Sequence, residues 1–435
     1  MPDLSAELLP RLRSHRLPGL DLGPGWDANS DLIYPNYGGG SILNLPSSIC
    51  RWLGAPPFGK EILWSPLADA FGSDIQRVIL ILVDGLSLGR MHRWLESQPA
   101  SPWHEITRRG LLAPLTSIVP STTCTAMASL WSGRSPAEHA IVGYELWLKE
   151  YGVVANMILH TPMSFQNDPG GLSRAGFAPQ AFLGFPTMGS HLAAHGVRTY
   201  AFLHNSITRS GLSQMLLQDV QVRSYSTTAN LWINLREHLH QPAQERQYIW
   251  VYWSEVDHSS HHYGPDDERT QAEFQTFSQA LQDLLLKPLK PWARQGTLLV
   301  LTADHGQIAT PIDAFYELRR HPAITRRLHI LPTGENRLAF LYPRPGQIEA
   351  VREAIERTWP RQFTFLDPSY AVQQGLFGPG QAHPRLLDRL GDLILVSRGS
   401  AYLWWSDQDN PLSGRHGGLS PDEMLVPFLA ARLDA

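Results

Sequence analysis

Three stretches of the chain are almost wholly apolar and rich in β-branched or aromatic residues: VILILV (78–83), YIWVYW (248–253) and TLLVLT (297–302). Uninterrupted apolar runs of this length are typical of strands buried on both faces of a parallel sheet. Weaker strands are predicted at APLTSIV (113–119) and RTYAFL (198–203), and helices around 186–196, 229–240 and 268–286. Strands that alternate with helices predict an α/β fold with a mostly parallel central sheet.

Acidic residues follow each of the three strongest strands. VILILV runs into Asp84, YIWVYW runs into SEVDHSSHHYGP with Asp257, and TLLVLT runs into ADHG with Asp304. In open α/β sheets, ligands bind in the crevice beyond the carboxyl ends of the strands. We therefore expect the three carboxylates to converge on one site.

Two further regions lie around this predicted core. Residues 1–75 are rich in Gly and Pro and are predicted to form an extension packed on a catalytic domain at 76–435. The stretch YPNYGGGSILNLPSSICRWLG predicts tight turns before a short helix near Ser41, and it lacks the lysine of a phosphate-binding loop. In the segment 325–400, ENRLAFLYP and FTFLDP predict strands and GQIEAVREAIERTW predicts a helix, so we expect a small inserted α+β subdomain.

Composition narrows the classes of partner. The 435 residues are 43% hydrophobic, which is enough for one large domain with an insertion or for two domains. The net charge is −4 without a long basic run, so neither nucleic acid nor a membrane surface is expected as the main partner. Cys50 and Cys124 are the only cysteines and predict no disulfide framework. The absence of a signal-peptide pattern and of a long apolar span favours a cytoplasmic protein.

Histidines accompany the acidic residues and complete a candidate metal site. The set contains three carboxylates and three imidazoles: Asp84, Asp257, His261, Asp304, His305 and His416. Such mixed oxygen and nitrogen donors suit Zn²⁺ or Mn²⁺ better than Ca²⁺ or Mg²⁺. An aspartate after a strand often only caps a loop, and a lone histidine is often structural. Their joint occurrence after buried strands favours metal binding.

The spacing of residues in DHSSHHYGP does not decide which of its side chains bind the metal. Asp257 and His261 are four residues apart, so on a helical turn both face the same way. His258 and His262 share that spacing, and periodicity does not choose between the two pairs.

The strand-like segment ends at Pro120, and the hydroxyl-rich residues STTCT (121–125) follow it. The overlapping stretch TCTAMASLW (123–131) is predicted to form a helix. A hydroxyl at a helix start lies among unpaired N–H groups at the positive end of the dipole, which favours a bound phosphate. Threonine becomes a nucleophile only with a base or a metal, and two metal ions ~4 Å apart would supply this. The simpler alternative is that these hydroxyls merely cap the helix.

Five motifs occur in a defined order: ILVDG (81–85), PSTTCTAMASLWSGRSPAEHAI (120–141), DHSSHHYGP (257–265), TADHG (302–306) and GRHGG (414–418). With this set, the chain from about Arg77 to Leu429 resembles the type I phosphodiesterase/nucleotide pyrophosphatase family of the alkaline phosphatase superfamily. The resemblance implies a three-layer sandwich like that of alkaline phosphatase. It also implies an enzyme that hydrolyses small-molecule phosphate esters, including nucleotides, with two divalent ions, Zn²⁺ or Mn²⁺.

The resemblance also implies a role for each motif residue. One metal ion would be held by Asp257, His261 and His416. The family pattern thereby selects the pair Asp257 and His261 over the pair His258 and His262. The second would be held by Asp84, Asp304 and His305 together with Thr123, the nucleophile of a phosphothreonine intermediate. The backbone N–H of Cys124 is a candidate donor to the substrate.

One departure from the family pattern concerns the substrate. Tyr144 stands where the family has an asparagine that donates a hydrogen bond to a phosphoryl oxygen, and the tyrosine hydroxyl is the candidate substrate-binding donor in its place. Phosphomonoesterase, phosphonate hydrolase and phosphoryl transfer on the same core therefore remain alternatives, as does a catalytically inactive metal-binding module. A sulfatase is disfavoured because Cys124 is followed by TAM rather than by the C/S-x-P-x-R pattern.

Overall fold

The computed structural model describes residues 3–20, 22, 32–165, 168–242 and 244–434. Within these residues the strands are β1 (Arg77–Val83), β2 (Leu111–Thr116), β3 (Glu145–Leu148), β4 (Val153–Asn156), β5 (Thr161–Pro162), β6 (Val197–His204), β7 (Gln221–Tyr225), β8 (Arg246–Trp253), β9 (Thr297–Thr302), β10 (Ile308–Ala309), β11 (Leu328–Glu335), β12 (Leu338–Pro343), β13 (Phe363–Leu366), β14 (Leu393–Ser397), β15 (Gly414–Arg415) and β16 (Leu425–Arg432).

The helices of the same residues are mostly short. They are α1 (Ser5–Ser14), α2 (Leu45–Trp52), α3 (Ser65–Ala68), α4 (Leu88–Glu96), α5 (Pro102–Arg109), α6 (Thr123–Ser132), α7 (Pro136–His139), α8 (Gly171–Arg174), α9 (Pro179–Phe182), α10 (Met188–Ala194), α11 (Gly211–Leu216), α12 (Thr228–Leu239), α13 (Glu255–Tyr263), α14 (Glu268–Ala280), α15 (Pro291–Arg294), α16 (Pro322–Thr325), α17 (Ile348–Thr358), α18 (Pro368–Gln373), α19 (Leu386–Leu390) and α20 (Pro421–Met424). None of the described helices is long and apolar enough to cross a membrane.

The central sheet has seven strands in the order β2-β16-β9-β1-β8-β6-β7. The pairs that β1 forms with β8 and β9, and that β6 forms with β7 and β8, are parallel, whereas β16 is antiparallel to both of its neighbours. The three strongest predicted strands, β1, β8 and β9, are adjacent in the middle of this sheet. Their carboxyl ends therefore lie side by side, as the sequence predicted.

Helices cover both faces of the central sheet. Trp131 of α6 packs against Tyr248 and Trp250 of β8, at ring-centroid distances of 6.1 and 5.3 Å. Phe277 of α14 stacks on Trp253 of β8 at 4.2 Å. Side chains alternate between the two faces of a strand, so Trp253 lies on the face opposite to that of Tyr248 and Trp250. Every residue of β1 and β9 is buried. The α/β three-layer arrangement with a mostly parallel sheet confirms the predicted fold class.

A second sheet of seven strands has the order β13-β14-β12-β11-β3-β4-β5. Four of its strands come from the segment predicted as an insertion at 325–400, and three come from residues 145–162. Gly334 of β11 pairs with Glu145 of β3 and joins the two parts. The predicted strands and helix of 325–400 are present, whereas the domain boundaries at 75 and 325–400 stay a prediction.

The segment before β1 packs on the central sheet where the structure describes it. The Leu4 N–H donates to the Leu112 carbonyl of β2 at 2.7 Å, and the Thr116 N–H donates to the Gly40 carbonyl at 2.8 Å. The short helix predicted near Ser41 is a 3₁₀ turn over Ile42–Asn44 that is capped by Ser41 and continues into α2. Residues 1–2, 21 and 23–31 of the predicted extension lie outside the described residues.

Candidate active site

The predicted metal ligands meet at the carboxyl ends of the central strands, in two groups. Asp84 directly follows β1, and Asp304 and His305 follow β9; their ligand atoms lie within 4.8 Å of one another. Asp257 and His261 lie on α13 after β8 and form a second group of the same tightness with His416, directly after β15. All six predicted ligands therefore lie in one of the two groups. The structure does not place His258 or His262 in either.

The loop after β1 owes its close approach to α13 to a glycine. Gly85 has a φ of 76°, in the left-handed region that favours glycine. A Cβ atom added at Gly85 would come within 2.9 Å of the Asp257 Cα. The absence of a side chain at residue 85 lets the loop after β1, which carries Asp84, lie directly against Asp257 after β8.

The group of Asp84, Asp304 and His305 is fully enclosed, and we call it the buried group. The His305 Nε2 lies 3.3 Å from Asp84 Oδ1 and 3.6 Å from Asp304 Oδ2. Both of these carboxylate oxygens are buried without a hydrogen-bond partner. Buried polar atoms normally have partners, so two orphaned anionic oxygens beside an imidazole nitrogen fit a bound cation.

The group of Asp257, His261 and His416 faces the solvent more, and we call it the open group. Asp257 Oδ1 lies 3.4 Å from His261 Nε2 and 3.8 Å from His416 Nε2. The ring of His416 stacks on that of His305 with centroids 3.9 Å apart, so this histidine borders both groups. The two groups thus lie close enough to form one binuclear centre.

Each of the three histidines is oriented by its second ring nitrogen. Their Nδ1 atoms lie 2.9 to 3.1 Å from backbone carbonyl oxygens, with the pairs His261–Gly414, His305–Gly306 and His416–Ser121. A carbonyl can only accept, so each Nδ1 carries the proton and each Nε2 presents a lone pair toward the carboxylates. Metal-bound histidines in proteins show this backing by a second hydrogen bond. The donor set of both groups therefore fits divalent zinc or manganese.

The shifted pKa values of the candidate ligands also favour a bound cation. Burial, reinforced by Asp304 and Asp257, raises the pKa of Asp84 well above its usual value, and burial with Asp257 raises the pKa of Asp304 to about 7. Burial, followed by His305 and His261, lowers the pKa of His416 well below its usual value, which keeps this imidazole neutral. Closely packed carboxylates and neutral imidazoles are stabilised by an added positive charge.

Thr123 is the first residue of α6, and its side-chain hydroxyl contacts the buried group. Thr123 Oγ1 lies 3.2 Å from His305 Nε2 and 3.4 Å from Asp84 Oδ2. Thr123 is partly exposed to a cavity of about 640 Å³, which is also lined by Asp257, His261 and His416. A hydroxyl oxygen thus stands between the candidate metal site and the space available to a ligand.

The two predicted substrate contacts line the same cavity. Cys124 lies at the second position of α6, where the backbone N–H has no intrahelical acceptor. Its thiol is fully buried, and burial keeps the pKa of Cys124 well above its usual value, so the side chain is a neutral core group. The Tyr144 hydroxyl accepts a hydrogen bond from the Asn156 amide at 2.5 Å. Tyr144 is therefore held by the second sheet, and its role toward a substrate stays a prediction.

Three polar residues of the site are missing from the sequence-based prediction. The Tyr252 hydroxyl donates to Asp84, and the Gln307 amide donates to Asp257. Glu335 contacts Thr122 and the backbone of Tyr144 from the second sheet. Tyr252 is hidden within the apolar run of β8, and Glu335 begins a segment that reads only as a strand. Gln307 carries a signal, because it directly follows the ADHG motif.

The fold and the site together define a class: an α/β protein with a candidate binuclear metal centre beside a threonine hydroxyl. The family model of the type I phosphodiesterase / nucleotide pyrophosphatase family matches residues 78–419. The chain therefore belongs to this family. The match confirms the resemblance found in the sequence and the predicted class of phosphoric ester hydrolase.

Individual relatives are distant. The chain is 25% identical over 170 residues to the human ectonucleotide pyrophosphatase/phosphodiesterase family member 5, in a match that covers 38% of this chain and a third (33%) of that protein. The structure of murine ectonucleotide pyrophosphatase / phosphodiesterase 5 is similar with a TM-score of 0.61 at 18% identity, covering 82% of this chain and 88% of the other. Phosphonoacetate hydrolase from Sinorhizobium meliloti 1021 is similar with a TM-score of 0.60 at 19% identity, covering 83% and 91%. These solved structures share the fold.

Proposed function

We propose that the protein is a metal-dependent phosphodiesterase that acts on small-molecule phosphate esters of the nucleotide type through a phosphothreonine at Thr123. The observation that carries this proposal is the position of Thr123 Oγ1, at the start of α6 and within 3.4 Å of two ligands of the buried group. Zn²⁺ is the proposed ion, with Mn²⁺ as the alternative for the same donors.

The residues of the two groups would hold the metal ions. Asp84, Asp304 and His305 would bind one ion beside Thr123, and Asp257, His261 and His416 would bind the other at the cavity. Divalent ions at such a pair of sites lower the pKa of bound hydroxyl groups and offset the charge that develops on attacking and leaving oxygens.

The residues of this chain then have distinct tasks. The Asp84 carboxylate has further lone pairs for the Thr123 hydroxyl, whose proton Oδ2 would orient toward the buried group; the single lone pair of His305 Nε2 would serve the ion. The N–H groups at the start of α6, including that of Cys124, are oriented to donate to a phosphoryl oxygen. Thr123 Oγ1 attacks phosphorus and the first alcohol leaves; water then cleaves the phosphothreonine. Two inversions give net retention of configuration at phosphorus.

The substrate class rests on family membership and on the cavity. A cavity of about 640 Å³ accommodates a molecule of nucleotide size. The related murine phosphodiesterase 5 has been solved, as an inactive variant, in complex with AMP. Tyr144 differs from the family pattern, so a phosphomonoester or a phosphonate, such as the substrate named for the phosphonoacetate hydrolase of similar fold, is the second candidate.

Replacement of the proposed nucleophile tests the mechanism. We expect Thr123→Ala to retain the fold and metal content and to lose turnover, because the Thr123 hydroxyl lies within 3.4 Å of two ligands of the buried group and is partly exposed to the cavity. Thr125→Ala is the matched control, since its buried hydroxyl has no partner and is two residues farther along the same helix. Robust activity of Thr123→Ala would overturn the proposal.

A paired assay tests the substrate class. Zinc-loaded protein is given bis-p-nitrophenyl phosphate or a nucleotide p-nitrophenyl ester, and separately p-nitrophenyl phosphate and phosphonoacetate. Higher kcat/KM for the diesters is the expected result. A preference for the monoester or the phosphonate would retain Thr123 and replace the substrate class. Metal-loaded protein that is inert toward all of them would instead favour the inactive binding module.

A further inference from the structure

The first turn of α6 lacks the side-chain cap that its sequence would allow. Thr122 is the N-cap residue, with extended backbone angles (φ −146°, ψ 150°), yet its side chain makes no capping hydrogen bond. A threonine at this position normally accepts a hydrogen bond from the N–H of the second or third helical residue. Here those residues are Cys124 and Thr125. Their N–H groups are therefore left without the usual acceptor.

The Thr122 hydroxyl is directed away from the helix by a carboxyl group from the other sheet. It donates to Glu335 Oε1 at 2.7 Å, and the same oxygen accepts the backbone N–H of Tyr144, also at 2.7 Å. Glu335 is the last residue of β11 and is only 9% exposed. One buried oxygen thus holds both Thr122, which precedes the proposed nucleophile, and Tyr144, which differs from the family pattern.

The position of Glu335 is itself held by the loop that carries a metal ligand. Gly417, directly after His416, has a φ of 105°, and a Cβ atom there would collide with the Glu335 side chain. Residue 417 also bridges to Ser121 in antiparallel fashion. The Glu335 carboxyl is therefore enclosed between the His416 loop and the turn that leads into α6, with little freedom to adopt another rotamer.

We propose that Glu335 is a positioning residue: it withholds the Thr122 hydroxyl from the start of α6 and keeps the N–H groups of Cys124 and Thr125 available for a phosphoryl oxygen. This inference rests on the proposed function of the same site. Without an acceptor at position 335, the Thr122 hydroxyl is free to rotate and cap its own helix. The protein would then satisfy internally the donors that the substrate needs.

The size of the effect follows from ordinary helix capping. A threonine cap of typical strength corresponds to a factor of about 5 in an equilibrium constant. A phosphoryl oxygen that has to displace this cap loses the same factor. We therefore expect a roughly fivefold loss of kcat/KM, and a similar loss of affinity for inorganic phosphate, when the hydrogen bonds of Glu335 are removed.

Four variants of the full chain, compared with the wild type in the zinc-loaded state, test the proposal. Glu335→Met keeps the volume and removes the acceptor, and we expect the roughly fivefold loss. Glu335→Gln removes the ionisable carboxyl group but keeps an acceptor oxygen for both donors, so near-wild-type values are expected. Thr122→Val cannot cap or donate and is also expected to be near wild type. The double variant Glu335→Met with Thr122→Val is expected to regain most of the lost activity and phosphate affinity.

Rescue of the phosphate affinity by the second substitution is the decisive result, and it is measured per folded chain, because removal of an unpaired Thr122 hydroxyl could by itself restore stability but would not raise the affinity of protein that is already folded. A double variant as impaired as Glu335→Met, or an unimpaired Glu335→Met, overturns the proposal. If Glu335→Met does not fold, Glu335→Ala gives the same comparison. Binding of inorganic phosphate, measured by calorimetry, keeps the test independent of turnover. An inert wild type would overturn the proposed function, while the phosphate affinities would still decide the role of Glu335.

Discussion

The two groups of candidate metal ligands use the same residue types in different surroundings. The side chains of the buried group, Asp84, Asp304 and His305, are at most 3% exposed, whereas those of the open group, Asp257, His261 and His416, are 10 to 22% exposed. The buried group follows the ends of β1 and β9 in the middle of the sheet. The open group combines one turn of a helix with a residue from a distant loop.

This difference indicates a division of labour. The buried group adjoins the Thr123 hydroxyl, and its low exposure would strengthen electrostatic interactions at this proposed nucleophile. The open group lines the cavity, where a leaving group and a water molecule could enter. The site of the proposed nucleophile and a site suited to exchange of ligands thus lie beside each other, with His416 between them.

Removal of one carboxylate from each group gives the largest expected contrast. Asp304→Asn is expected to lose the ion next to Thr123 and at least about a thousandfold of kcat. Asp257→Asn is expected to weaken metal binding at the open group and to regain part of its activity in excess Zn²⁺. Metal content per chain and kcat are measured for both. Equal losses with equal rescue would show that the two groups do not differ in function.

Removal of metal by a chelator tests the same contrast in the wild type. We expect two kinetic phases, because an ion at the open group is in contact with solvent and an ion at the buried group is not. The fast phase is expected to respond to Asp257→Asn and the slow phase to Asp304→Asn. Metal release is followed with a colorimetric indicator. A single phase that carries both ions would contradict the distinction.

Tyr252→Phe tests the outer support of the buried group. The Tyr252 hydroxyl donates to Asp84, and loss of such a second hydrogen bond typically lowers metal affinity by about 10- to 100-fold. The control is Tyr248→Phe, in the same strand, where the ring packs against Trp131. Affinity is measured by competition with a chelator. An effect confined to Tyr248→Phe would indicate that strand packing, and not the hydrogen bond, matters.

The smallest expected effect is a pH dependence of stability outside both groups. Burial raises the pKa of Glu335 to about 8 from 4.5. The folded state therefore binds a proton that the unfolded state has released, and the free energy of unfolding falls as the pH rises from about 4.5 through about 8. Glu335→Gln has no such group.

The measurement is urea unfolding of the wild type and Glu335→Gln at pH 5 and pH 9. The free energy of unfolding of Glu335→Gln minus that of the wild type is expected to be larger at pH 9 than at pH 5, by roughly 1–3 kcal/mol. A constant difference between the two proteins would place the pKa of Glu335 near its ordinary value.

The contrast between the groups also separates what the sequence predicts from what it does not. Asp84 and Asp304 directly follow apolar runs, so the topology of parallel strands alone places them together. The choice of His261 over His262 came from the family resemblance, because periodicity is identical for both. Glu335 had no local signal: its contact with Thr122 depends on how the second sheet lies against α6, a long-range register that no nearby pattern encodes.

The central claim is that Thr123 forms a covalent intermediate between the two groups. The most direct measurement is the stereochemical course of hydrolysis of a phosphorothioate diester that is chiral at phosphorus, carried out in isotopically labelled water. Net retention at phosphorus is the predicted result, because attack by Thr123 and attack by water each invert the centre. Net inversion would show that water attacks the substrate directly and would contradict the account.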